Sequence, residues 1–104
     1  MIELTSRQRK ILEKEAQPMS AVIQIGKYGV SEELVKQIQA AISTRELIKI
    51  KFNEFKDEKK DLSYEIAEHT DSTVVRIIGN TTILYKEAAE RENRKYASLL
   101  AKAN

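Results

Sequence analysis

Hydrophobic positions along the chain follow two spacings in turn, which predicts alternating helices and strands. Apolar residues recur at helical spacing in three stretches, and shorter β-branched runs separate these stretches. The pattern predicts helices over 5–16, from 31 onward and over 57–69, and strands over 21–25, 46–52, 72–79 and 80–86. The order α-β-α-β-α-β-β predicts a single-domain α/β sandwich with a mixed sheet. The β-branched strand 21–25 is expected to be buried.

Capping and turn residues mark the ends of several of these elements. Thr5 and Gln8 have the spacing of a capping box, and Ser31 is a suitable N-cap for the second helix. Gly79 and Asn80 form a favoured two-residue hairpin turn between the last two strands. These signals agree with the hydrophobic pattern.

The last stretch of the chain is charged and prone to form a helix. Two Glu–Arg pairs have the stabilising i,i+4 spacing, namely Glu87–Arg91 and Glu90–Arg94. We therefore predict a helical extension, residues 87–104, after a domain formed by residues 1–86. Its apolar side chains are free to dock on the domain or on a partner: Tyr96, Leu99, Leu100 and Ala103.

Composition narrows the class of protein. The sequence has no apolar run near the roughly 20 residues that cross a bilayer, and its N-terminus lacks the apolar core of a signal peptide. Cysteine is absent, which excludes disulfides and thiolate metal sites. We expect a cytoplasmic protein without membrane contact. It is expected to be a monomer, since no heptad pattern or exposed apolar strand demands a partner.

Residues that could catalyse a reaction or bind a metal are few. The single histidine, His69, lies near the end of the third predicted helix, where a structural role is expected. An acidic cluster lacks the spacing of a calcium loop and is expected to be solvated surface. It comprises Glu54, Asp57, Glu58, Asp61, Glu65 and Glu68. No nucleophile elbow, zinc-protease or Walker motif occurs, so we expect no enzyme, no metal and no cofactor.

The segment "VIQIGKYGVSEEL" contains two of the three glycines of the chain. A strand followed by a glycine turn and a helix start presents unpaired backbone N–H groups to an anion. Gly26 and Gly29 would let a phosphate approach the backbone, while Lys27 adds a positive charge and Tyr28 offers a ring or a hydroxyl. A structural turn would also explain the glycines. The motif alone is therefore a weak indication of a binding site.

Basic residues on two other elements strengthen the indication. The net charge is only +2, but cations concentrate on the first helix and on the polar face of the strand 46–52. If the helix packs near the glycine loop, these side chains form a track for a phosphate backbone. They are Arg7, Arg9, Lys10, Lys14, Lys49 and Lys51.

Several motifs in the same order resemble the CRM-domain family, typified by small bacterial YhbY-type proteins. They are "LTSRQRKIL", "VIQIGKYGVSEELV", "ELIKIKF" and "VVRIIGNTTILYK", and together they span residues 4–86. The resemblance implies a fold like that of the C-terminal domain of bacterial translation initiation factor three. It also implies RNA binding through the loop Gly26–Gly29, the G-x-x-G loop of the family.

The resemblance implies a biological role as well. Free-standing bacterial members are associated with precursors of the large ribosomal subunit, so we expect a non-enzymatic RNA-binding protein of ribosome assembly. Two features depart from the family pattern. Tyr28 stands where asparagine or a small polar residue is more common, which favours stacking, and the tail after Lys86 has no counterpart. The alternative is an adaptor that docks on ribosomal or other proteins through the tail and the acidic third helix.

Overall fold

The computed structural model describes residues 2–103 and shows helices on both faces of one sheet. The helices are α1 (Ser6–Ala16), α2 (Glu32–Arg45), α3 (Lys59–Thr70) and α4 (Ala97–Lys102). The strands are β1 (Ile23–Ile25), β2 (Leu47–Phe52), β3 (Thr73–Ile78) and β4 (Thr81–Tyr85). Two short 3₁₀ turns lie at Lys56–Glu58 and Arg91–Asn93.

The sheet is mixed, as the sequence predicts. Its strand order is β1-β2-β4-β3, with β1 parallel to β2 and β4 antiparallel to both of its neighbours. The β3–β4 hairpin turns at Gly79 and Asn80, where Gly79 adopts a φ of +57°. The two central strands, β2 and β4, are therefore covered on both edges by other strands.

One face of the sheet is covered by α2 and α3. The period-two pattern of β2 is confirmed, since Ile48, Ile50 and Phe52 are all buried on this side. They pack with the apolar faces of the two helices, represented by Ile38 of α2 and Ile66 of α3. This larger core joins the sheet to the helices that follow β1 and β2.

The opposite face carries a second core under α1 and α4. Leu12 and Ala16 of α1 are completely buried and pack with Leu47, Ile83 and Tyr85 of the sheet. Burial raises the pKa of Tyr85 to about 12, with smaller contributions from nearby carboxylates, so its hydroxyl stays protonated. This core covers only one end of the face. The other end, around Lys49 and Lys51, has no helix lying over it.

The predicted helix caps are confirmed. The Gln8 backbone N–H donates to Thr5 Oγ1 at 3.1 Å, and the Thr5 N–H donates to Gln8 Oε1 at 3.0 Å, completing the capping box. At the start of α2 the Leu34 N–H donates to Ser31 Oγ at 3.1 Å. These bonds satisfy backbone donors that the first turn of a helix leaves unpaired.

Two predictions were wrong. The expected buried strand 21–25 is a three-residue edge strand in which Gln24 is exposed, because only β2 pairs with it. The tail is not a continuous helix: it runs without regular structure to the turn Arg91–Asn93 and forms α4 only at its end. Glu87 and Arg91 therefore do not lie on one helix. Instead, Oε1 of Glu87 lies 3.5 Å from Nε of Arg94.

The tail takes this path because its backbone and apolar residues find partners within the chain. Tyr96, Leu100 and Ala103 are buried, and the first two belong to the second core. The Tyr96 ring meets Tyr85 edge to face, with centroids 6.2 Å apart. Tertiary packing of this kind outweighs the modest helix preference of i,i+4 charge pairs.

Glu46 fixes the tail to the domain. It is the C-cap residue of α2, has a positive φ of +66° and is fully buried. One carboxylate oxygen accepts the Ala88 N–H at 2.7 Å and the other accepts the Lys95 N–H. Its own carbonyl accepts the Lys86 N–H at 2.8 Å. One side chain therefore holds two separate points of the tail.

Replacing Glu46 by alanine should destabilise the protein strongly. Two backbone N–H groups would lose their acceptors, so we expect a loss of about 2–4 kcal/mol in the free energy of unfolding. Urea denaturation followed by circular dichroism measures this loss. Glu46→Gln, which keeps one acceptor oxygen, should lose less. Equal stability of the alanine variant and the wild type would contradict the role assigned to Glu46.

Candidate nucleic-acid interface

The glycine loop, residues 26–29, connects the end of β1 to the N-cap region of α2. The Gly29 N–H donates to the Gly26 carbonyl at 2.9 Å, which closes the turn. Lys27 and Tyr28 form its tip, and the Tyr28 side chain is 85% exposed. The Lys27 Nζ atom lies 5.2 Å from the Tyr28 ring centroid, within the range of a cation–π contact. The loop thus displays an aromatic ring and a cation together in solvent.

The two glycines of the loop answer different demands. Gly29 has a φ of +67°, which favours glycine, and a Cβ atom there would make a tight contact of 3.3 Å with Cε2 of the partly exposed Phe55 ring. Gly26 has no positive φ, and a Cβ atom there would meet nothing within 4 Å. The fold therefore explains Gly29 but gives no reason for Gly26.

A groove runs between α1 and the uncovered end of the sheet. Its volume is about 700 Å³. Strands β2, β3 and β4 form its floor, and α1 with the segment that follows it forms one wall. The lining residues are Lys10, Glu13, Lys14, Gln17, Met19, Ala21, Lys49, Lys51, Arg76, Ile78, Thr81 and Ile83.

The groove brings together four of the basic residues selected from the sequence. Lys10 and Lys14 come from α1, whereas Lys49 and Lys51 come from the face of β2 opposite its buried isoleucines. The one acid among the lining residues, Glu13, pairs with Arg76 at 3.2 Å. Lysines therefore dominate the charge of the groove.

Two of the selected basic residues also bind backbone carbonyls. Arg9 is half-buried and donates to the carbonyls of Val74 and Val75, at the irregularity in the β3–β4 pairing. Lys49 donates to the carbonyls of Gln17 and Met19 at 3.1 and 3.0 Å, just after the end of α1. These bonds attach α1 to the sheet. Arg7 is exposed and lies outside the groove lining.

The groove and the glycine loop lie near the same end of the sheet. Lys51 is the register partner of Gln24 in β1 and of Thr81 in β4. At a rise of about 3.3 Å per residue, Gly26 follows Gln24 by about 7 Å along the chain. The strand pairing therefore places the basic face of β2 beside the strand that enters the loop, although residues 26–29 themselves are not part of the groove lining.

Sequence analysis missed two residues beside this surface. Arg76 reaches the groove because the β3–β4 pairing shifts register between Val74 and Arg76. A single arginine within the apolar run "VVRII" is the signal that could have identified it. Phe55, in the β2–α3 loop, contacts Gly29 and is 41% exposed. Only the tertiary structure brings it to the glycine loop.

Other candidate groups lie on the surface away from the groove. His69 is exposed, with its Nε2 atom 4.0 Å from Glu65. The acidic residues from Glu54 to Glu68 are solvent-exposed, as expected. Within residues 2–103 no group of three or more acidic, histidine or cysteine side chains could hold a metal ion. Over the same part of the chain, no helix combines the length and hydrophobicity needed to cross a membrane.

Comparison with known proteins agrees with the resemblance seen in the sequence. The model of the CRS1/YhbY (CRM) domain matches residues 4–86. The chain belongs to the CRM-domain family. It is 36% identical over 90 residues to the "Probable RNA-binding protein YqeI" of Bacillus subtilis, a match that covers 86% of this chain and 94% of that protein.

Two further proteins support the assignment of family and fold. An "RNA-binding protein" of Haemophilus influenzae is 30% identical over 91 residues, which cover 86% of this chain and 92% of the relative. The solution structure of the hypothetical protein SAV1595 from Staphylococcus aureus, described as a candidate RNA-binding protein, superposes with a TM-score of 0.74. That protein is 36% identical, and the match covers 89% of this chain and 98% of that one.

The two glycines should respond differently to alanine. We expect Gly29→Ala to lower the free energy of unfolding by about 1–2 kcal/mol, because alanine disfavours a left-handed backbone. Gly26→Ala should leave stability unchanged within about 0.5 kcal/mol, since its surroundings are open. Thermal unfolding of both variants tests the difference. Equal losses in the two variants would show that Gly26 also has a structural role.

Proposed function

We propose that this protein is a non-enzymatic RNA-binding protein of large-subunit ribosome assembly, acting as a monomer in the cytoplasm. The observation that carries the proposal is the lysine-rich groove, because its strand β2 pairs with the strand that leads into the exposed glycine loop. The relatives named as RNA-binding proteins support the ligand class. The link to precursors of the large subunit comes from the family resemblance of the motifs.

In the proposed complex, the glycine loop binds a phosphate of the RNA backbone. Backbone N–H groups at the loop and at the start of α2 donate to the phosphate oxygens, and the positive end of the helix dipole adds to the attraction. Gly26 permits the close approach, because it has no side chain and a Cβ atom there would meet nothing within 4 Å. Lys27 supplies a charge at the same place, and Tyr28 stacks on an exposed base.

The groove then guides the neighbouring phosphates. Lys10, Lys14, Lys49 and Lys51 line it from two sides, so a backbone passing through would release counterions at several positions. Such contacts fix position and affinity and carry little sequence information. Arg9 contributes mainly by holding α1 against β3, which keeps the wall of the groove in place.

The adaptor alternative loses most of the apolar surface that, together with the near-neutral charge, motivated it. Tyr96, Leu100 and Ala103 are buried within the chain, so most of the apolar surface of the tail is already used. Leu99, at 38% exposure, is the one large apolar side chain of α4 that remains accessible. We therefore favour RNA over a protein partner as the principal ligand.

Neutralising a groove lysine should weaken RNA binding and its dependence on salt. Because the Lys51 side chain is exposed, Lys51→Gln should reduce the magnitude of the slope of log affinity against log salt by about 1. Fluorescence anisotropy with labelled RNA at several salt concentrations measures the slope. Lys102→Gln, on the distant tail, is the matched control. An unchanged slope for Lys51→Gln would remove Lys51 from the contact surface.

The RNA target is tested by ultraviolet crosslinking in cells, followed by sequencing of the attached RNA. We expect crosslinks concentrated in one region of large-subunit ribosomal RNA, and their loss in Gly26→Asp, which places a carboxylate at the phosphate position. Gly26 is preferred to Gly29 for this purpose because Gly29→Asp would also strain the backbone.

Gly26→Ala serves as the control for the crosslinking experiment, since it adds a side chain without charge. Crosslinks at background level in the wild type would contradict the proposed function. Strong crosslinks that persist in Gly26→Asp would keep RNA binding but exclude the glycine loop from it. Crosslinks concentrated in another RNA would replace the assigned target.

A further inference from the structure

The loop between β2 and α3 holds an aromatic ring beside the glycine loop. Three atoms of one edge of the Phe55 ring face Gly29, and the side chain remains 41% exposed. Tyr28, the residue before Gly29, is 85% exposed. Two large aromatic side chains, one preceding Gly29 in the sequence and one packed near it, are thus exposed to solvent.

The backbone around Phe55 is held firmly by hydrogen bonds. The Ile25 carbonyl, at the end of β1, accepts the N–H groups of Asn53 and Glu54 at 2.9 and 3.2 Å. The Asn53 side chain donates to the Gln24 side chain at 2.6 Å. These bonds join the β2–α3 loop to the strand that leads into the glycine loop. The position of the Phe55 ring relative to Gly29 is therefore built into the fold.

Phe55 is an unfavourable residue for the backbone conformation that it occupies. It has a φ of +58° and a ψ of +37°, the left-handed region in which a bulky side chain is a rare and strained choice. Glycine or asparagine would fit this conformation at lower cost. The chain thus retains an exposed ring where the local backbone disfavours it, which indicates a use for the ring itself.

The charges near Phe55 differ from those of the groove. The exposed neighbours of Phe55 are three acids, Glu54, Asp57 and Glu58, and one cation, Lys56, so the loop carries a net negative charge that disfavours a phosphate. A base is uncharged, and stacking on an aromatic ring needs no cation. An RNA strand with its phosphates on the lysines of the groove would therefore turn its bases, and not its backbone, toward Phe55.

We propose that Phe55 and Tyr28 bind unpaired bases of a single-stranded RNA segment whose phosphates lie along the groove. This inference rests on the proposed function and specifies its ligand at the glycine loop. In a duplex the bases are paired and stacked inside the helix, so their faces are unavailable to the two rings. Single-stranded RNA should consequently bind more tightly than duplex RNA of the same sequence.

The test compares Phe55→Leu and Phe55→Tyr with the wild type. Leucine keeps an apolar contact with Gly29 but has no aromatic face, whereas tyrosine keeps both. The probes are a labelled single-stranded RNA of about 12 nucleotides, within the usual size of such sites, and the same strand annealed to its complement. Thermal unfolding of each variant shows whether the fold is preserved.

We expect Phe55→Leu to weaken single-strand binding about tenfold, the usual effect of losing one stacked base, and Phe55→Tyr to bind like the wild type. The salt slope should stay unchanged in Phe55→Leu, because no phosphate contact is lost. Duplex binding should be unaffected. Undiminished single-strand binding by Phe55→Leu, or equal losses for both RNAs, would overturn the proposal and leave the ring as a support for the loop.

Fluorescence gives a second measurement on the unaltered protein. The fluorescence of a strand carrying 2-aminopurine should change when it binds the wild type, because the base leaves its neighbours to stack on the protein, and it should change less with Phe55→Leu. An unchanged fluorescence at every position of the base would contradict stacking. A different result would contradict the proposed function itself: the wild type would bind neither RNA in a salt-dependent way, and Lys51→Gln would leave binding unchanged.

Discussion

The period-two alternation of β2 is the constraint on which the rest of the structure depends. Side chains of a strand must alternate between the faces of a sheet, so burial of Ile48, Ile50 and Phe52 under α2 and α3 forces Lys49 and Lys51 to the other face. A helix lying over that end would have to bury Lys51. On the second face, the helices therefore cover β2 at Leu47. The rest of this face, at Lys49 and Lys51, lines the groove.

The parts that cover the second face are attached by polar bonds as well as by packing. Lys49 binds carbonyls that follow α1, while Arg9 of α1 binds carbonyls of β3. Glu46 holds the tail at Ala88 and Lys95, which brings α4 beside α1. Arg9 and Lys49, which the sequence analysis predicts to bind RNA, thus hold the α1 wall of the groove in position. A mutation of Arg9 or Lys49 would change structure and charge together, whereas Lys51 reports on charge alone.

The two glycines of the loop differ in what the fold demands of them. Gly29 has a positive φ, which favours glycine, whereas Gly26 has no positive φ and open surroundings. In the proposed complex the groove binds phosphates and the two rings bind bases. The affinity for RNA would then fall with rising salt because of the lysines, and it would be higher for single-stranded than for duplex RNA because of the aromatic residues.

The sequence by itself determined the order and type of the main elements, because hydrophobic period, caps such as Ser31 and the Gly79-Asn80 turn are local properties. It also identified the glycine loop and the four lysines that line the groove. Only the tertiary structure decided the path of the tail, the position of Arg76 in the groove lining and the packing of Phe55 near Gly29. Each of these depends on contacts between residues distant in sequence. Buried Glu46, for example, outweighs the local helix preference of the tail.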